Sequence, residues 1–460
     1  MHPSLTLRER FRTPAAALSA PSAPAEPPPE PTAERYQAIK GRLHMKLVEQ
    51  FDLAALEAMA PEVLRQEIGR LTERLLKDEP VAINEIERRH LIRDIGHEMM
   101  GFGPLELLMA DPTVSDILVN SWHQVYVERR GKLELTPVTF QNEAHLMRII
   151  DKIVSRVGRR IDESSPMVDA RLPDGSRVNV AIAPVAIDGP MMSIRRFSQV
   201  PLKMERLVSE GYQSLTPDMA RFLQALVQAK VNLLISGGTG SGKTTLLNIL
   251  SGFIPRDERV VTIEDAAELQ LQQPHVVRLE TRPPNIEGHG EVTQRALVRN
   301  ALRMRPDRIV IGEVRGGEAL DMLQAMNTGH EGSMTTVHAN TPRDALSRLE
   351  NMMAMAGLQL PVRIARQQMA AAISVVVQTL RLIDGRRKIT SIQEITGMEG
   401  DVISLQPIFG FRQVGVAPDG AVLGHFSASG VRPRVMERLQ AYGLNLPDSM
   451  FDPTHVDSPL

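Results

Sequence analysis

The sequence predicts an α/β fold whose main domain contains a parallel β-sheet. Short apolar segments alternate with helical stretches from residue 218 onward, and a glycine-rich loop follows the first of these segments. The predicted strands are 231–236, 259–263, 276–279, 308–311 and 333–337, and the predicted helices lie near 293–303, 317–328 and 341–355. Alternation of short buried strands with helices is typical of a parallel sheet covered on both faces. We therefore expect one α/β domain over 218–400.

The rest of the chain divides into parts of different character. Residues 1–32 are rich in Pro, Ala, Ser and Glu, and such a tail cannot bury enough apolar surface to become ordered. Apolar residues recur at helical spacing from 33 to 100, which predicts a small helical bundle. Strand and turn signals then predict a mixed α/β N-terminal domain over 101–200, and a linker over 201–217. Hairpins and a short helix are expected over 401–460.

Composition excludes several classes of protein. The formal net charge is −2, and the chain has one tryptophan and four tyrosines, which argues against a nucleic-acid-binding surface. There is no cysteine, so disulfides and cysteine-based zinc sites are excluded. No stretch reaches the roughly 18–20 apolar residues of a membrane span, and the N-terminus is a poor signal peptide. We therefore expect a protein that acts from the cytoplasmic side.

The strongest motif is the segment GGTGSGKTT, which follows an apolar strand and precedes a helix. It matches the phosphate-binding loop G-x-x-x-x-G-K-[ST], and it predicts ATP binding by Gly237, Gly238, Thr239, Gly240, Ser241, Gly242, Lys243, Thr244 and Thr245. Glycines let the backbone N–H groups approach the phosphates, and the helix N-terminus adds its positive dipole. Lys243 is expected to reach the β- and γ-phosphates, and the Thr244 hydroxyl is expected to bind Mg²⁺.

Acidic residues at the ends of two other predicted strands point to hydrolysis. The apolar segment that begins at Arg308 ends in Glu313. A carboxylate at the end of such a strand can face the phosphates and orient water. Glu264 and Asp265 follow the strand 259–263, and they suit Mg²⁺, its waters or the attacking water, with Asp265 acting through a water. His338 ends a further strand and is a candidate γ-phosphate sensor.

The remaining histidine and arginine clusters have simpler interpretations. His330 is expected to be structural or coupling, and metal binding by His330 and His338 is a weak option because their spacing is wrong for a shared ion. Basic residues at helical spacing, Arg295, Arg299 and Arg303, favour a solvated or subunit-contact face. From the residues alone, Arg177, Arg195 and Arg196 are interpreted as surface charge.

The order of four segments gives a specific resemblance. GGTGSGKTT, TIEDAAEL, RIVIGEVRGGEA and TGHEGSMTTVHAN closely resemble the Walker A, Asp box, Walker B and His box of the secretion-superfamily ATPases. These ATPases power type II and type IV secretion, type IV pili and archaeal filaments. GPLELLMADPTVSDILVN, DARLPDGSRVNVAIAPV, MMSIRRF and ITGMEGDVISLQPIFGF resemble the CpaF-type branch, which drives the Tad (tight adherence) pilus. The resemblance spans about 34–450.

The resemblance implies a RecA-like P-loop NTPase domain preceded by a PAS-like domain. It also implies a homohexamer that works with inner-membrane platform proteins, at the cytoplasmic face of the membrane. Arg177 and Arg195 match family arginines that approach the γ-phosphate when the two domains close. The absence of cysteine departs from the zinc module common in type II secretion ATPases. The contact with adenine is expected near 202–218.

Three functions stay open at this point. The first is a motor for assembly or retraction of a Tad-type pilus. The second is a type IV secretion or competence ATPase that drives export of DNA or protein. The third is a non-hydrolysing, nucleotide-gated scaffold, against which the intact Lys243, Glu264 and Glu313 count. A helicase is disfavoured by the near-neutral charge and the few aromatic residues.

Overall fold

A computed structural model describes most of the chain. It covers residues 32–50, 60–78, 83–129, 131–197, 202–282, 284, 289–357 and 360–454. The chain divides into two compact units, one ending at Glu106 and the other beginning at Leu107. The predicted Pro-rich tail lies outside the described residues, apart from Thr32. No helix within the described ranges is long and apolar enough to cross a membrane.

The first unit contains the predicted helical bundle. Its helices are α1 (Thr32–Gln50), α2 (Pro61–Lys77) and α3 (Glu85–Met100), followed by a 3-10 turn at Gly103–Leu105. Apolar side chains from the three helices form one core, which includes Leu43, Leu47, Ile68, Leu91 and Ile95. This is the outcome expected when an apolar stripe on each helix must be removed from water.

The next domain is mixed α/β, and apart from Glu106 it lies in the second unit. Its elements are α4 (Glu106–Ala110), β1 (Val114–Ser121), β2 (Gln124–Arg129), β3 (Lys132–Leu135), α5 (Glu143–Arg156), β4 (Met167–Arg171), β5 (Arg177–Ala181) and β6 (Met191–Arg195). In the described part of this domain the strands form one antiparallel sheet in the order β3-β2-β1-β6-β5-β4. The pairing places Arg177 of β5 directly opposite Arg195 of β6.

A larger sheet forms the centre of the second unit. Its strands are β7 (Leu233–Gly237), β8 (Val260–Glu264), β9 (Val276–Glu280), β10 (Arg308–Ile311), β11 (Met334–His338), β12 (Val375–Arg381), β13 (Arg387–Glu399), β14 (Val402–Val416) and β15 (Val422–Ala428). Over the described residues their order is β15-β14-β13-β12-β7-β11-β10-β8-β9. The strands from β7 to β12 are parallel, whereas β13, β14 and β15 join in antiparallel pairs.

Helices cover both faces of this sheet, as predicted for an α/β fold. They are α6 (Met204–Val208), α7 (Pro217–Gln228), α8 (Lys243–Ser251), α9 (Gln294–Ala301), α10 (Glu318–Asn327), α11 (Pro342–Met355), α12 (Val362–Ala372) and α13 (Val435–Ala441). Leu233 and Ile235 belong to one buried core, and Leu234 belongs to another. Neighbouring residues of a strand point to opposite faces, so the two cores lie on opposite sides of the sheet.

Two details differ from the sequence expectations. The predicted linker over 201–217 contains a short helix, α6, whose Met204 and Leu207 are buried in the same core as Leu233. The predicted boundary at 400/401 falls in the turn between β13 and β14, which are paired strands of one sheet. The C-terminal hairpins therefore extend the central sheet, because β13 pairs with both β12 and β14, and β14 pairs with both β13 and β15.

Candidate active site

The glycine-rich loop lies at the carboxyl end of β7 and leads directly into α8. Gly240 and Gly242 have φ values of 69° and 97°, in the left-handed region that residues with a Cβ rarely adopt. A Cβ at Gly237 would collide with the hydroxyls of Ser241 and Thr379. The glycines are thus required by backbone conformation at two positions and by close packing at a third.

Parallel pairing gathers the chemical groups at one sheet edge. His338 of β11 is the register partner of Gly237, and β8 and β10 run parallel beside them. The carboxyl ends of neighbouring parallel strands meet at the same edge, where α/β sheets bind their ligands. Glu264, Glu313 and His338 therefore lie at the same sheet edge as the loop, as their positions in the sequence predict.

Lys243 is the buried cation of this site. Its Nζ donates to the carbonyl oxygen of Gly238 at 3.0 Å and lies 3.3 Å from Nε2 of His338. Burial lowers the pKa of Lys243 to about 8, and the nearby Glu313 opposes that shift. A triphosphate would supply further negative charge and favour the ammonium form.

Glu313 lies in contact with both His338 and Arg315, next to Lys243. Oε2 of Glu313 lies 3.3 Å from Nε2 of His338, and Nε of Arg315 donates to Oε1 of Glu313 at 3.1 Å. Burial and the charge of Lys243 lower the pKa of His338, and Glu313 opposes them. The lowered pKa favours the neutral ring of His338, which can donate a hydrogen bond to Glu313.

The side-chain carboxyl of Glu264 has one oxygen that accepts hydrogen bonds from backbone amides. The residue is 2% exposed, and its Oε2 accepts hydrogen bonds from the amides of Glu268 at 2.6 Å and Leu269 at 2.7 Å. Burial outweighs these bonds and raises the pKa of Glu264 to about 7. Its Oε1 is buried and makes no hydrogen bond within the described residues. That oxygen suits a water molecule bound to Mg²⁺ or to the γ-phosphate.

Asp265 and Thr244 are the two predicted contacts for Mg²⁺. Asp265 lies 3.2 Å from Nη1 of Arg315, and burial raises the pKa of its carboxyl. Thr244 is the second residue of α8. Within the described ranges, no group of three or more His, Cys, Asp or Glu could hold a metal ion. Binding of Mg²⁺ by the Thr244 hydroxyl, with nucleotide phosphates as the other main ligands, stays a prediction.

The two arginines suggested by the resemblance have different surroundings. Nη1 of Arg177 donates to Oε1 of Glu268 at 2.8 Å, and Glu268 is itself bonded through its amide to Glu264. Arg195 pairs instead with Asp116 of β1 at 3.1 Å, and its side chain is 59% exposed. The structure thus brings Arg177 to the edge of the site, whereas Arg195 is held within its own domain.

The helix carrying Arg295 and Arg299 makes a contact that the sequence interpretation did not include. Both arginines donate to the buried carboxylate of Asp321, at 2.7 and 2.8 Å. They hold α9 against α10, while the side chain of Arg299 stays 60% exposed, so this helix face is solvated and also pairs with a second helix. The spacing of the arginines predicted that they share a helix face. It did not predict their partner, because Asp321 lies more than 20 residues further along the chain.

Other residues of the site were missed by motif reasoning. Arg315 bridges Glu313 and Asp265, and its place two residues after Glu313 was the available signal. Thr379 meets the hydroxyl of Ser241 at 2.9 Å, and Nε of Arg387 donates to the carbonyl oxygen of Gly240 at 2.8 Å. Neither Thr379 nor Arg387 lies in a sequence motif. The remaining predicted residue, His330, has a buried Nδ1 that makes no hydrogen bond within the described residues.

Comparison with known proteins identifies the family. The family model described as "Type II/IV secretion system protein" matches residues 98–401. The chain belongs to this family. The predicted membership of the secretion-ATPase superfamily is therefore confirmed, and the protein is an ATP hydrolase.

Relatives within the family carry names from conjugation and type IV secretion. A Mycobacterium tuberculosis protein, provisionally named for conjugal transfer, is 39% identical over 317 residues, which are 68% of this chain and 89% of the relative. The type IV secretion system protein VirB11 of Bartonella henselae is 33% identical over 328 residues, covering 63% of this chain and 90% of VirB11. The crystal structure of the VirB11 ATPase from Brucella suis is 31% identical, covers 63% of this chain and 95% of that one, and superposes with a TM-score of 0.35.

Proposed function

We propose that this ATPase is the motor of a type IV secretion machine and drives the export of DNA or protein. The arrangement of Lys243, Glu313, His338 and Glu264 at one sheet edge carries the hydrolytic part of this proposal. The names of the relatives, conjugal transfer protein and VirB11, support the type of machine. A non-hydrolysing scaffold is set aside, because the protein belongs to a family of ATPases.

The proposed chemistry uses groups that are already in place. Lys243 and the N-terminal amides of α8 bind the phosphates of ATP, as cations and helix N-termini do. Mg²⁺ at Thr244 would neutralise charge that develops between the β- and γ-phosphates. Glu313 accepts the proton of the attacking water, Glu264 helps to orient that water, and His338 contacts the γ-phosphate. Arg177 reaches the same phosphate when the mixed α/β domain moves closer, and Arg195 would join it after leaving Asp116.

Several features of the assembly belong to the same proposal. We expect a homohexamer in which each subunit closes its mixed α/β domain over its ATPase domain. The ring would act at the cytoplasmic face of the inner membrane, through membrane proteins of the secretion machine. No stable complex with nucleic acid is expected, since the net charge is −2 and such binding normally requires a basic surface.

A Tad-type pilus motor is a second candidate. It is favoured by the helical bundle, which lies almost wholly outside the family match at 98–401. It is favoured also by the cysteine-free sequence and by the segments that resemble the Tad branch. In this candidate the same ATPase cycle would act on the platform proteins that extract pilins from the membrane or return them to it.

An experiment in the native host separates the two candidates. The chromosomal gene is replaced by the Lys243→Ala form, and DNA transfer, protein export and surface pili are scored in the same strains. A type IV secretion motor predicts loss of transfer or export with pili retained. Loss of pili with unchanged transfer and export supports the Tad pilus motor instead. Unchanged scores in all three assays would contradict both candidates.

A further inference from the structure

We propose that Arg381 and Arg387 are nucleotide-positioning residues whose charge is neutralised by Glu128 of the mixed α/β domain. In this arrangement Glu128 competes with the nucleotide phosphates for the two arginines and weakens nucleotide binding. The proposal rests on ATP binding at the loop Gly237–Thr245, and it adds a control of that binding by the neighbouring domain.

The two arginines form a pair created by strand pairing. Arg381 ends β12 and Arg387 begins β13, and the two are direct register partners in the antiparallel hairpin. Side chains of directly opposed residues lie on the same face of the sheet, a few ångströms apart. Two like charges in this position repel each other, so an adjacent anion is needed to stabilise the pair.

Glu128 supplies that anion from the other sheet. Its Oε2 lies 3.4 Å from Nη1 of Arg381, and its Oε1 lies 3.7 Å from Nη2 of Arg387. Nη2 of Arg381 also donates to the carbonyl oxygen of Gly131, in the turn after β2. The Glu128 carboxylate is 16% exposed, so its charge is only partly screened by water.

Both arginines also touch the phosphate-binding loop. Nε of Arg387 donates to the carbonyl oxygen of Gly240 at 2.8 Å. A Cβ at Gly240 would lie 3.4 Å from Nη1 of Arg381, and a Cβ at Gly242 would lie 3.5 Å from Cδ of Arg387. The guanidinium groups are thus close enough to the loop to interact with a bound triphosphate through space.

The sign of the electrostatic effect follows from these contacts. With Glu128 present, the negative charge of the carboxylate offsets part of the arginine charge felt by the phosphates. Without it, two positive charges act on the nucleotide, and binding becomes tighter. A purely structural role of Glu128 predicts the opposite, because loss of a support would loosen the loop.

The test compares charge-removing variants for binding of ADP and of AMP-PNP by calorimetry. Glu128→Gln is expected to tighten binding by about threefold to tenfold, and to lower KM for ATP without raising kcat. Arg387→Gln is expected to weaken binding by a similar factor. Glu134→Gln is the matched control, because Glu134 lies on β3 and pairs with Arg129 inside the mixed domain. Its binding constants are expected to equal those of the wild type.

A combined variant shows whether the arginines carry the effect. In an Arg381→Gln, Arg387→Gln background, adding Glu128→Gln is expected to leave nucleotide binding unchanged. Tightening that persists in this background overturns the proposal, and so does a Glu128→Gln protein that binds nucleotide as the wild type does or more weakly. A wild-type protein that binds no nucleotide contradicts ATP binding at the loop itself, and thus the proposed function as well.

Discussion

Nζ of Lys243 lies 3.3 Å from Nε2 of His338 in the centre of the candidate site. Each group is partly buried, and the charge of Lys243 is one cause of the lowered pKa of His338. The lowered pKa of each group favours its neutral form in the nucleotide-free protein. Nucleotide phosphate would reverse this balance, because an adjacent negative charge favours the protonated forms of both groups.

Nucleotide binding is expected to take up protons at pH 8. The pKa of Lys243 is about 8 in the free protein, so roughly half of the molecules carry the charged amine at that pH. Bound phosphate raises that pKa, so the Lys243 amines that were neutral become protonated on binding. The protons they take up come from the buffer. Calorimetry of AMP-PNP binding in buffers of different ionisation enthalpy measures the uptake. An uptake near zero at pH 8, with normal affinity, would show that Lys243 is already fully protonated.

Glu313→Gln is expected to bind ATP and to hydrolyse it very slowly. The amide keeps the shape of the side chain but cannot accept a proton from water, and loss of a general base lowers kcat by about 100-fold to 10,000-fold. Binding of AMP-PNP and steady-state phosphate release are measured on the same preparation. Glu331→Gln is the control, since Glu331 is 51% exposed and pairs with Arg438. Normal steady-state hydrolysis by Glu313→Gln would remove this carboxylate from the mechanism.

Glu264 is expected to make the nucleotide-free protein less stable as the pH rises from 5 to 7. Its pKa is raised from 4.5 to about 7 in the folded protein. Between these values the unfolded chain has lost the proton that the folded protein keeps. Raising the pH through this window therefore favours unfolding, by up to about 3 kcal/mol.

Chemical denaturation of the wild type and of Glu264→Gln at a series of pH values measures this effect. The wild-type free energy of unfolding is expected to fall between pH 5 and 7 and then to level off. Glu264→Gln is expected to lose that part of the slope, since an amide does not titrate in this range. Parallel curves for the two proteins would contradict a raised pKa at Glu264.

Arg177→Ala is expected to lower kcat more than Arg195→Ala does. Arg177 already contacts Glu268 beside the site, whereas Arg195 must first leave Asp116. An arginine that stabilises transferring phosphate affects kcat strongly, and we expect a loss of roughly a hundredfold or more for Arg177→Ala. Single-turnover and steady-state ATP hydrolysis are the measurements.

Arg171→Ala is the matched control for this comparison. Arg171 also reaches from the mixed α/β domain to the ATPase domain, where it contacts Glu280 and the carbonyl oxygen of Ala267. If the role of Arg177 is on the phosphate, Arg171→Ala retains most of the wild-type kcat. Equal losses for the two variants would instead indicate that both arginines simply anchor the domain.

Local patterns in the sequence predicted the fold class and the centre of the site. The loop at Gly237–Thr245 is contiguous, and its chemistry depends on glycine conformations and a helix N-terminus that neighbouring residues create. Glu264 and His338 each end an apolar strand, and Glu313 follows another such strand by two residues. The rule that parallel strands end at one edge was enough to place them together.

Groupings that depend on distant residues were found only in the folded chain. Nothing in the sequence around Arg295 and Arg299 indicated Asp321, and nothing around Glu128 indicated Arg381, which lies about 250 residues away. The ion pair between Arg315 and Asp265 also joins residues that are far apart in the sequence. Ion pairs of this kind are set by which side chains the packing brings within a few ångströms, and no local periodicity encodes that distance.

The sequence by itself therefore determined that this protein binds and hydrolyses a nucleotide on a parallel sheet, because motif, strand and helix are adjacent in the chain. Tertiary structure alone decided the electrostatic state of the site. Burial raises the pKa of Glu264 and lowers that of Lys243, and burial exists only after the sheets and helices pack. The tertiary structure also decided that Arg177, and not Arg195, contacts the edge of the site, because strand pairing holds Arg195 against Asp116.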